Sequence, residues 1–123
     1  SDGLERRRVA VVSALEVTSA DVLGAAGYLL ATPANLGYMS GALKHAFDTT
    51  YNDALNATRG RPYGVLVHGE SDTEGALLGI RKIVAGLAWR AVAEPVSVIG
   101  SVEGRLDDCR ELGAVVAAST LGY

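Results

Sequence analysis

The chain contains few of the residue types that carry several common chemistries. Its 123 residues include one cysteine, one methionine, one tryptophan and three prolines. A single cysteine cannot close an intramolecular disulfide, so the fold depends on its apolar core, and a reducing, cytoplasmic location is predicted. Cys109 shares a helical spacing with Leu106 and Leu112, where it would serve as a small apolar side chain.

Basic surface and long apolar runs are also scarce. The formal net charge is −3, and the one cationic run, Arg6–Arg8, lies at the start of the sequence. This balance predicts that nucleic acid is not a partner. No apolar stretch approaches the roughly 18–20 residues that a membrane span requires, and the first residues lack the apolar region of a signal peptide, so no membrane association is predicted.

Sequence signatures of autonomous catalysis and of nucleotide-binding loops are missing as well. The chain has no Ser-His-Asp arrangement, metal-ligand cluster, Walker loop or G-x-G-x-x-G run, and it shows no nicotinamide-binding signature. Any catalysis would therefore depend on a bound cofactor, with the protein supplying position and electrostatics.

Short β-branched runs alternate with amphipathic segments along the chain. This alternation predicts βα units around a parallel sheet, and the length with its 49% hydrophobic content predicts one domain over residues 1–123. The predicted strands are Val9–Val12, Gly27–Ala31, Tyr63–His68 and Val96–Ile99.

Four helices are predicted between and after these strands. They are Thr18–Gly24, Ser40–Tyr51, a helix that begins at Ser71, and Arg105–Thr120. Thr18 with Asp21 and Ser71 with Glu74 have the spacing of capping boxes. Inward faces are predicted for the last three helices. They contain Leu43, Ala46, Phe47 and Thr50 in the helix from Ser40; Leu77, Ile80, Ile83, Val84 and Leu87 in the helix from Ser71; and Leu106, Cys109, Leu112 and Val116 in the last helix.

The segment Thr32–Asp48 joins a predicted strand to a predicted helix. Pro33 fixes φ, Gly37 permits a tight bend, and Ser40 or Asn35 can cap the helix. The segment resembles the flavodoxin-like FMN oxidoreductases, whose third strand ends in a Ser/Thr-Pro loop, followed by a Gly/Ser turn and a helix with a Leu-Lys-x-x-Phe/Ile-Asp pattern. The matching helix residues are Leu43, Lys44, Phe47 and Asp48.

This resemblance implies a three-layer α/β fold of flavodoxin-like type with a parallel sheet. It further implies FMN as cofactor, NAD(P)H as co-substrate, and the activity of an NAD(P)H-dependent FMN reductase or quinone reductase acting on a small-molecule substrate. The alternative is a flavodoxin-like module that has lost the FMN phosphate site and serves in binding or assembly without catalysis.

The resemblance also assigns two loops to the flavin ring. In the first loop, main-chain amides of Asn35–Tyr38 would bond the pyrimidine edge of the isoalloxazine, whose carbonyls and N–H suit fixed backbone groups. The first loop comprises Pro33, Ala34, Asn35, Leu36, Gly37, Tyr38, Met39 and Ser40. The second contains His68, Gly69, Glu70 and Asp72, and it would flank the ring from the other side.

Each of these residues also has a purely structural interpretation. The first loop could be an ordinary βα connection, and Tyr38 a loop aromatic with its hydroxyl in water. His68 could donate to a flavin carbonyl or a quinone-like substrate, or it could be bonded to backbone at the end of a strand. Glu70 and Asp72 fit a solvated acidic turn better than a catalytic pair.

One element of the resemblance has no counterpart before Val9. In the family, the first strand is central in the sheet and ends in a Ser/Thr-rich loop that holds the FMN phosphate. Three explanations stay open: the sequence is an incomplete version of a longer protein, the flanking strands pair directly, or a second chain fills the gap. We expect these 123 residues to bind FMN weakly or not at all, and we expect a homo-oligomer in which the partner covers the open sheet.

Overall fold

The computed structural model describes residues 9–35, 37–69, 73–101 and 103–121, and within these ranges it forms a mixed α/β fold. The helices are α1 (Ser19–Gly24), α2 (Gly41–Ala54), α3 (Glu74–Leu87) and α4 (Leu106–Ser119), with a 3₁₀ turn at Glu103–Arg105. The strands are β1 (Tyr28–Asn35), β2 (Tyr38–Met39), β3 (Pro62–Gly69), β4 (Arg90–Ala91) and β5 (Val96–Ile99).

The sheet is mostly parallel, with β3 at its centre. β1 pairs with β3 from Tyr28 opposite Tyr63 to Pro33 opposite His68. On the other side of β3 lie β4 and β5, both parallel to it, whereas β2 is antiparallel to the end of β1. The predicted α/β architecture with a parallel sheet is therefore confirmed.

The two faces of β3 are covered by different helices, which makes three layers. Val65 and Val67 belong to a buried cluster with Leu43 of α2 and Ile80 of α3. On the opposite face, a Cβ on Gly64 would lie 2.8–2.9 Å from side-chain atoms of Leu112 and Val116 of α4. Because residue 64 has no side chain, α4 can lie directly on the sheet.

Trp89 anchors the core near the amino ends of β1 and β3. Its ring stacks on that of Tyr28 with centroids 3.9 Å apart, and its Nε1–H donates to Thr58 Oγ1 at 2.7 Å. Burial raises the pKa of the Tyr28 phenol, and the neighbouring Arg61 guanidinium partly offsets that increase. With 9% of its surface exposed, Trp89 is part of the buried core cluster.

The predicted strand Val9–Val12 is not a strand in the structure. These residues are irregular, and Val9 and Val11 are 84% and 97% exposed. Strand preference in β-branched residues depends on a neighbouring strand to pair with and a surface to pack on. No described strand provides either one at this segment.

Four smaller expectations also need correction. β1 continues past the predicted end at Ala31 to Asn35, because a second strand returns along it and pairs with its last residues. α2 ends at Ala54 rather than Tyr51, and Leu106 of α4 is 48% exposed rather than inward. The residue before α3 is Thr73, whose hydroxyl bonds to that of Ser97 instead of capping the helix; Ser71 lies outside the described residues.

The remaining helix and strand predictions are confirmed to within a residue or two. The capping box of Thr18 and Asp21 is present, and Ser40 caps α2. All four residues predicted to face inward on α2 are buried. The apolar periodicity therefore identified the inner faces of the long helices correctly, apart from the first turn of α4.

Candidate functional site

The candidate site lies at the carboxyl ends of β1 and β3. Pro33 and His68 are paired across the two strands, so the two segments predicted to hold a ligand start side by side. An open cavity of about 260 Å³ is lined here by Ala31, Thr32, Pro33, Leu66 and His68. Parallel α/β sheets bind their ligands beside the carboxyl ends of their strands.

The first predicted loop is a hairpin. Residues up to Asn35 continue β1, and Tyr38–Met39 return antiparallel to them. Gly37 has a φ of +79°, a left-handed conformation that glycine adopts without strain. Strand pairing engages part of the backbone whose amides were predicted to face a flavin, and Leu36 lies outside the described residues.

Two hydrogen bonds fix the base of this hairpin. The Ser40 backbone N–H donates to Thr32 Oγ1 at 2.9 Å, and Ser40 Oγ accepts from the Leu43 N–H at 3.1 Å. The first bond joins β1 to the end of β2, and the second joins the hairpin to α2. The segment that flanks the cavity is therefore held at both of its ends.

The side chains of the hairpin are divided between the cavity and α3. Pro33 lines the cavity, whereas Met39 is buried in the core at 2% exposure. The Tyr38 ring is 40% exposed and lies against α3 at Gly79, where a Cβ would be 2.5 Å from its Cε1. Among the hairpin residues whose side chains the structure describes, Pro33 alone lies on the cavity wall with His68.

His68 is tied to the backbone of the next loop. Its Nε2 lies 2.6 Å from the carbonyl oxygen of Gly100, an acceptor, so Nε2 carries a proton. In the neutral ring, Nδ1 is then an acceptor and cannot donate to a carbonyl of a bound flavin or quinone. Donation from Nδ1 would require the imidazolium form.

The rest of the second loop is only partly described. Gly69 is the last residue of β3, and its carbonyl accepts from the Gly100 N–H at 3.0 Å. Glu70 and Asp72 lie outside the described residues. The end of β3 is thus joined to the end of β5 by two hydrogen bonds, one from the His68 ring and one from the backbone.

Sequence reasoning missed Ala31, Thr32 and Leu66 as cavity residues. Successive side chains of a strand point to opposite faces, so the residues two positions before Pro33 and His68 share their face. Applying that period to the β1–β3 pair would have identified Ala31 and Leu66. Thr32, whose side chain points toward α2, could be identified only by its bond to Ser40.

The cavity suits part of a planar aromatic ring better than a whole flavin nucleotide. Its walls are mostly apolar, and its volume of about 260 Å³ lies just below the ~300–1,000 Å³ typical of small-molecule pockets. No lysine or arginine is among its described lining residues. The described walls can therefore contact a ring, and they hold no fixed cation for a phosphate.

The outer edge of β1 is open beside this cavity. Within the described residues, β1 is paired on that side only at Ala34 and Asn35, through β2. Leu29 is 46% exposed at the open part. Unpaired strand edges of this kind accept a further strand.

Two other kinds of site were sought in the described part of the chain. It contains no group of three or more His, Cys, Asp or Glu side chains that could hold a metal ion. Among the same residues, no helix combines the length and apolar character needed to cross a membrane.

Comparisons with known proteins give matches in structure but not in sequence. No protein-family model and no curated protein sequence matches the chain. Solved structures do match: a flavodoxin from the domain Archaea has a TM-score of 0.80 at 15% identity, over 97% of this chain and 83% of that one.

Two further structures have similar folds. A WrbA-like flavodoxin from Agrobacterium tumefaciens has a TM-score of 0.70 at 17% identity, over 84% of this chain and 71% of that one. An oxidoreductase from Corynebacterium diphtheriae has a TM-score of 0.64 at 21% identity, over 99% and 69%. At these identities the likeness concerns the fold, and the chain has a flavodoxin-like fold.

Proposed function

We propose that the protein binds FMN with the flavin ring in the crevice between the Pro33–Ser40 hairpin and the segment that follows His68. The observation that carries this proposal is the pairing of Pro33 with His68 beside an open, mostly apolar cavity. We further propose that the protein works as an NAD(P)H-dependent oxidoreductase of the FMN reductase or quinone reductase type. Its cytoplasmic location stays a prediction.

In the proposed complex, each residue of the crevice has a different role in holding the ring. Ala31 and Leu66 offer apolar contact, and Pro33 adds a rigid wall. Thr32 holds the hairpin in place through its bond to Ser40, and the Gly100 carbonyl orients His68. Bound FMN would supply the hydride and electron transfer, and these residues would position its ring and limit access of water.

The phosphate needs a binding subsite beyond the described cavity walls. We propose that a further parallel strand pairs with the open edge of β1, and that the loop after that strand holds the phosphate. Support comes from the unpaired edge next to the cavity and from the absence of lysine and arginine among its described lining residues. A loop at the carboxyl end of such a strand would lie beside Pro33 and His68, which are at the carboxyl ends of β1 and β3.

We also propose that the 123-residue chain taken alone forms a homo-oligomer, in which the partner covers the open edge of β1 while no further strand is paired with it. Exposed, unpaired strand edges promote association, and Leu29 adds exposed apolar surface there. Light scattering over the micromolar range is expected to give a mass above that of one chain. A Leu29→Lys variant, which places a charge at this edge, is expected to shift the protein toward monomer, and a monomeric wild type at all concentrations would contradict the proposal.

A flavodoxin-like module without catalysis is the second candidate. The observation that favours it is the bond between His68 and the Gly100 carbonyl, which gives a structural role to the titratable side chain among the described cavity walls. Such a module would bind neither FMN nor riboflavin.

A paired titration tests the proposed flavin site. FMN and riboflavin, which share the ring and differ in the phosphate, are titrated into the 123-residue chain and followed by flavin fluorescence. We expect saturable and weak binding of both, with similar affinities, because the described walls contact only the ring. Absence of binding for both flavins, even at millimolar concentration, would contradict the proposal and support the module without catalysis.

A further inference from the structure

The hairpin tip rests on α3 at two glycines that lie one helical turn apart. A Cβ on Gly75 would be 1.6 Å from the carbonyl oxygen of Gly37, which is too close for any side chain. A Cβ on Gly79 would be 2.5 Å from Tyr38 Cε1 and 3.0 Å from Met39 Cε. Glycine is unfavourable inside a helix, so its presence at both contact points needs a reason, and close approach of the hairpin provides one.

The contact at Gly75 is between two backbones. Gly37 cannot move aside by rotating a side chain, because the atom that would clash is its own carbonyl oxygen. The contact at Gly79 involves the ends of side chains, which can adjust more easily. Gly75 is therefore the stricter of the two positions.

The position of Gly75 in the chain links the two sides of the proposed crevice. It is the second residue of α3, and α3 follows directly on the segment that leaves the end of β3 after His68. The Gly37–Gly75 contact thus holds the tip of the hairpin against the first turn of the helix that follows β3. Thr73, two residues before Gly75, is in turn bonded to Ser97 of β5.

From these contacts we propose that Gly75 and Gly79 are positioning residues, which seat the Pro33–Ser40 hairpin on α3 and set the spacing between the two segments that flank the ring. This inference rests on the proposed flavin site. Neither glycine touches the cavity; each acts through the hairpin. A side chain at position 75 pushes the hairpin tip away from α3 and changes the width of the crevice.

The test compares Gly75→Ala with Gly86→Ala in the 123-residue chain. Gly86 lies on the same helix, and the three atoms nearest to a Cβ there all belong to the Tyr51 side chain, the hydroxyl first, and not to the hairpin. Two quantities are measured by NMR: hydrogen exchange of the Tyr38, Met39 and Ser40 amides, and the affinity for riboflavin. We expect Gly75→Ala to accelerate exchange and to weaken riboflavin binding by about tenfold or more, whereas Gly86→Ala should leave both within about twofold of wild type.

The two readouts separate this inference from the proposed function. Wild-type chain that binds no riboflavin contradicts the flavin site, while accelerated exchange in Gly75→Ala still supports the seating of the hairpin. Unchanged exchange in Gly75→Ala overturns the inference, and so does faster exchange with unchanged riboflavin affinity. If Gly75→Ala does not fold, Gly79→Ala replaces it under the same criteria, because its neighbours are adjustable side chains.

Discussion

Attaching a parallel strand with a Ser/Thr-rich loop and a helix ahead of Val9 is expected to raise FMN affinity by about 100-fold or more. The described cavity walls offer contacts to a ring and no lysine or arginine to a phosphate. A phosphate held by backbone amides and hydroxyls would add charge-assisted hydrogen bonds worth roughly 1.5–3 kcal/mol each. Two such bonds already correspond to about two orders of magnitude in the dissociation constant. Further gain is expected because the added strand pairs with the open edge of β1 and fixes the crevice.

Riboflavin provides the matched control for this experiment. Riboflavin lacks the phosphate, so the added segment should raise its affinity only through the better-formed crevice. The gain in FMN affinity divided by the gain in riboflavin affinity therefore gives the contribution of the phosphate. Isothermal titration calorimetry of both flavins with both proteins gives this ratio. Tight FMN binding by the 123-residue chain itself, with the phosphate held by Arg6–Arg8 or by a partner subunit, would contradict the account.

Trp89→Ala is expected to lower the free energy of unfolding by about 3–5 kcal/mol, the typical cost of removing a large buried aromatic side chain. The indole is 9% exposed, stacks on Tyr28 and packs near Phe47 and Tyr63. The substitution also leaves the buried Thr58 hydroxyl without the indole N–H that donates to it.

Urea unfolding followed by far-ultraviolet circular dichroism measures this loss, since the variant has no tryptophan fluorescence. Leu78→Ala is the control, because Leu78 is 53% exposed on α3 and its truncation should cost less than about 1 kcal/mol. A similarly small loss for Trp89→Ala would show that the aromatic cluster does not anchor the core.

Much of the fold could be predicted because local patterns and tertiary packing agree. β3 contains the β-branched and apolar run Val65-Leu66-Val67 and is buried along most of its length, as central parallel strands are. The inner face of α2 follows from a spacing of three and four residues, and Ser40 caps that helix as its residue type predicts. In each of these cases, the preference of a single segment matches the environment that the whole fold provides.

The other features depend on partners distant in sequence. Val9–Val12 has the residues of a strand, but no described strand lies beside it, so propensity alone does not make it one. The hairpin was predicted as a loop because a two-residue strand leaves almost no periodicity in sequence. The contact of the hairpin with α3 at Gly75 and Gly79 could not be predicted, because its one trace in the sequence is a pair of glycines in a helix.

The two segments predicted to hold the flavin begin at the ends of two adjacent strands, and the sequence alone did not indicate which side chains line the cavity there. The resemblance pointed to the segment after Thr32 and to the segment starting at His68, and β1–β3 pairing places these side by side. Which side chains reach the cavity depends on the strand register and on the hairpin, which turns Tyr38 and Met39 toward α3. Neither the register nor the turn can be derived from one segment alone.

The central claim is that a flavin ring lies between the Pro33–Ser40 hairpin and the end of β3. Its most direct test is a riboflavin titration of the ¹⁵N-labelled 123-residue chain, followed residue by residue by NMR. The account predicts saturable shifts of the Ala31, Thr32, Leu66 and His68 amides, with no shift at the Trp89 amide near the opposite ends of these strands. Shifts confined to residues outside this crevice, or none at millimolar riboflavin, would contradict it.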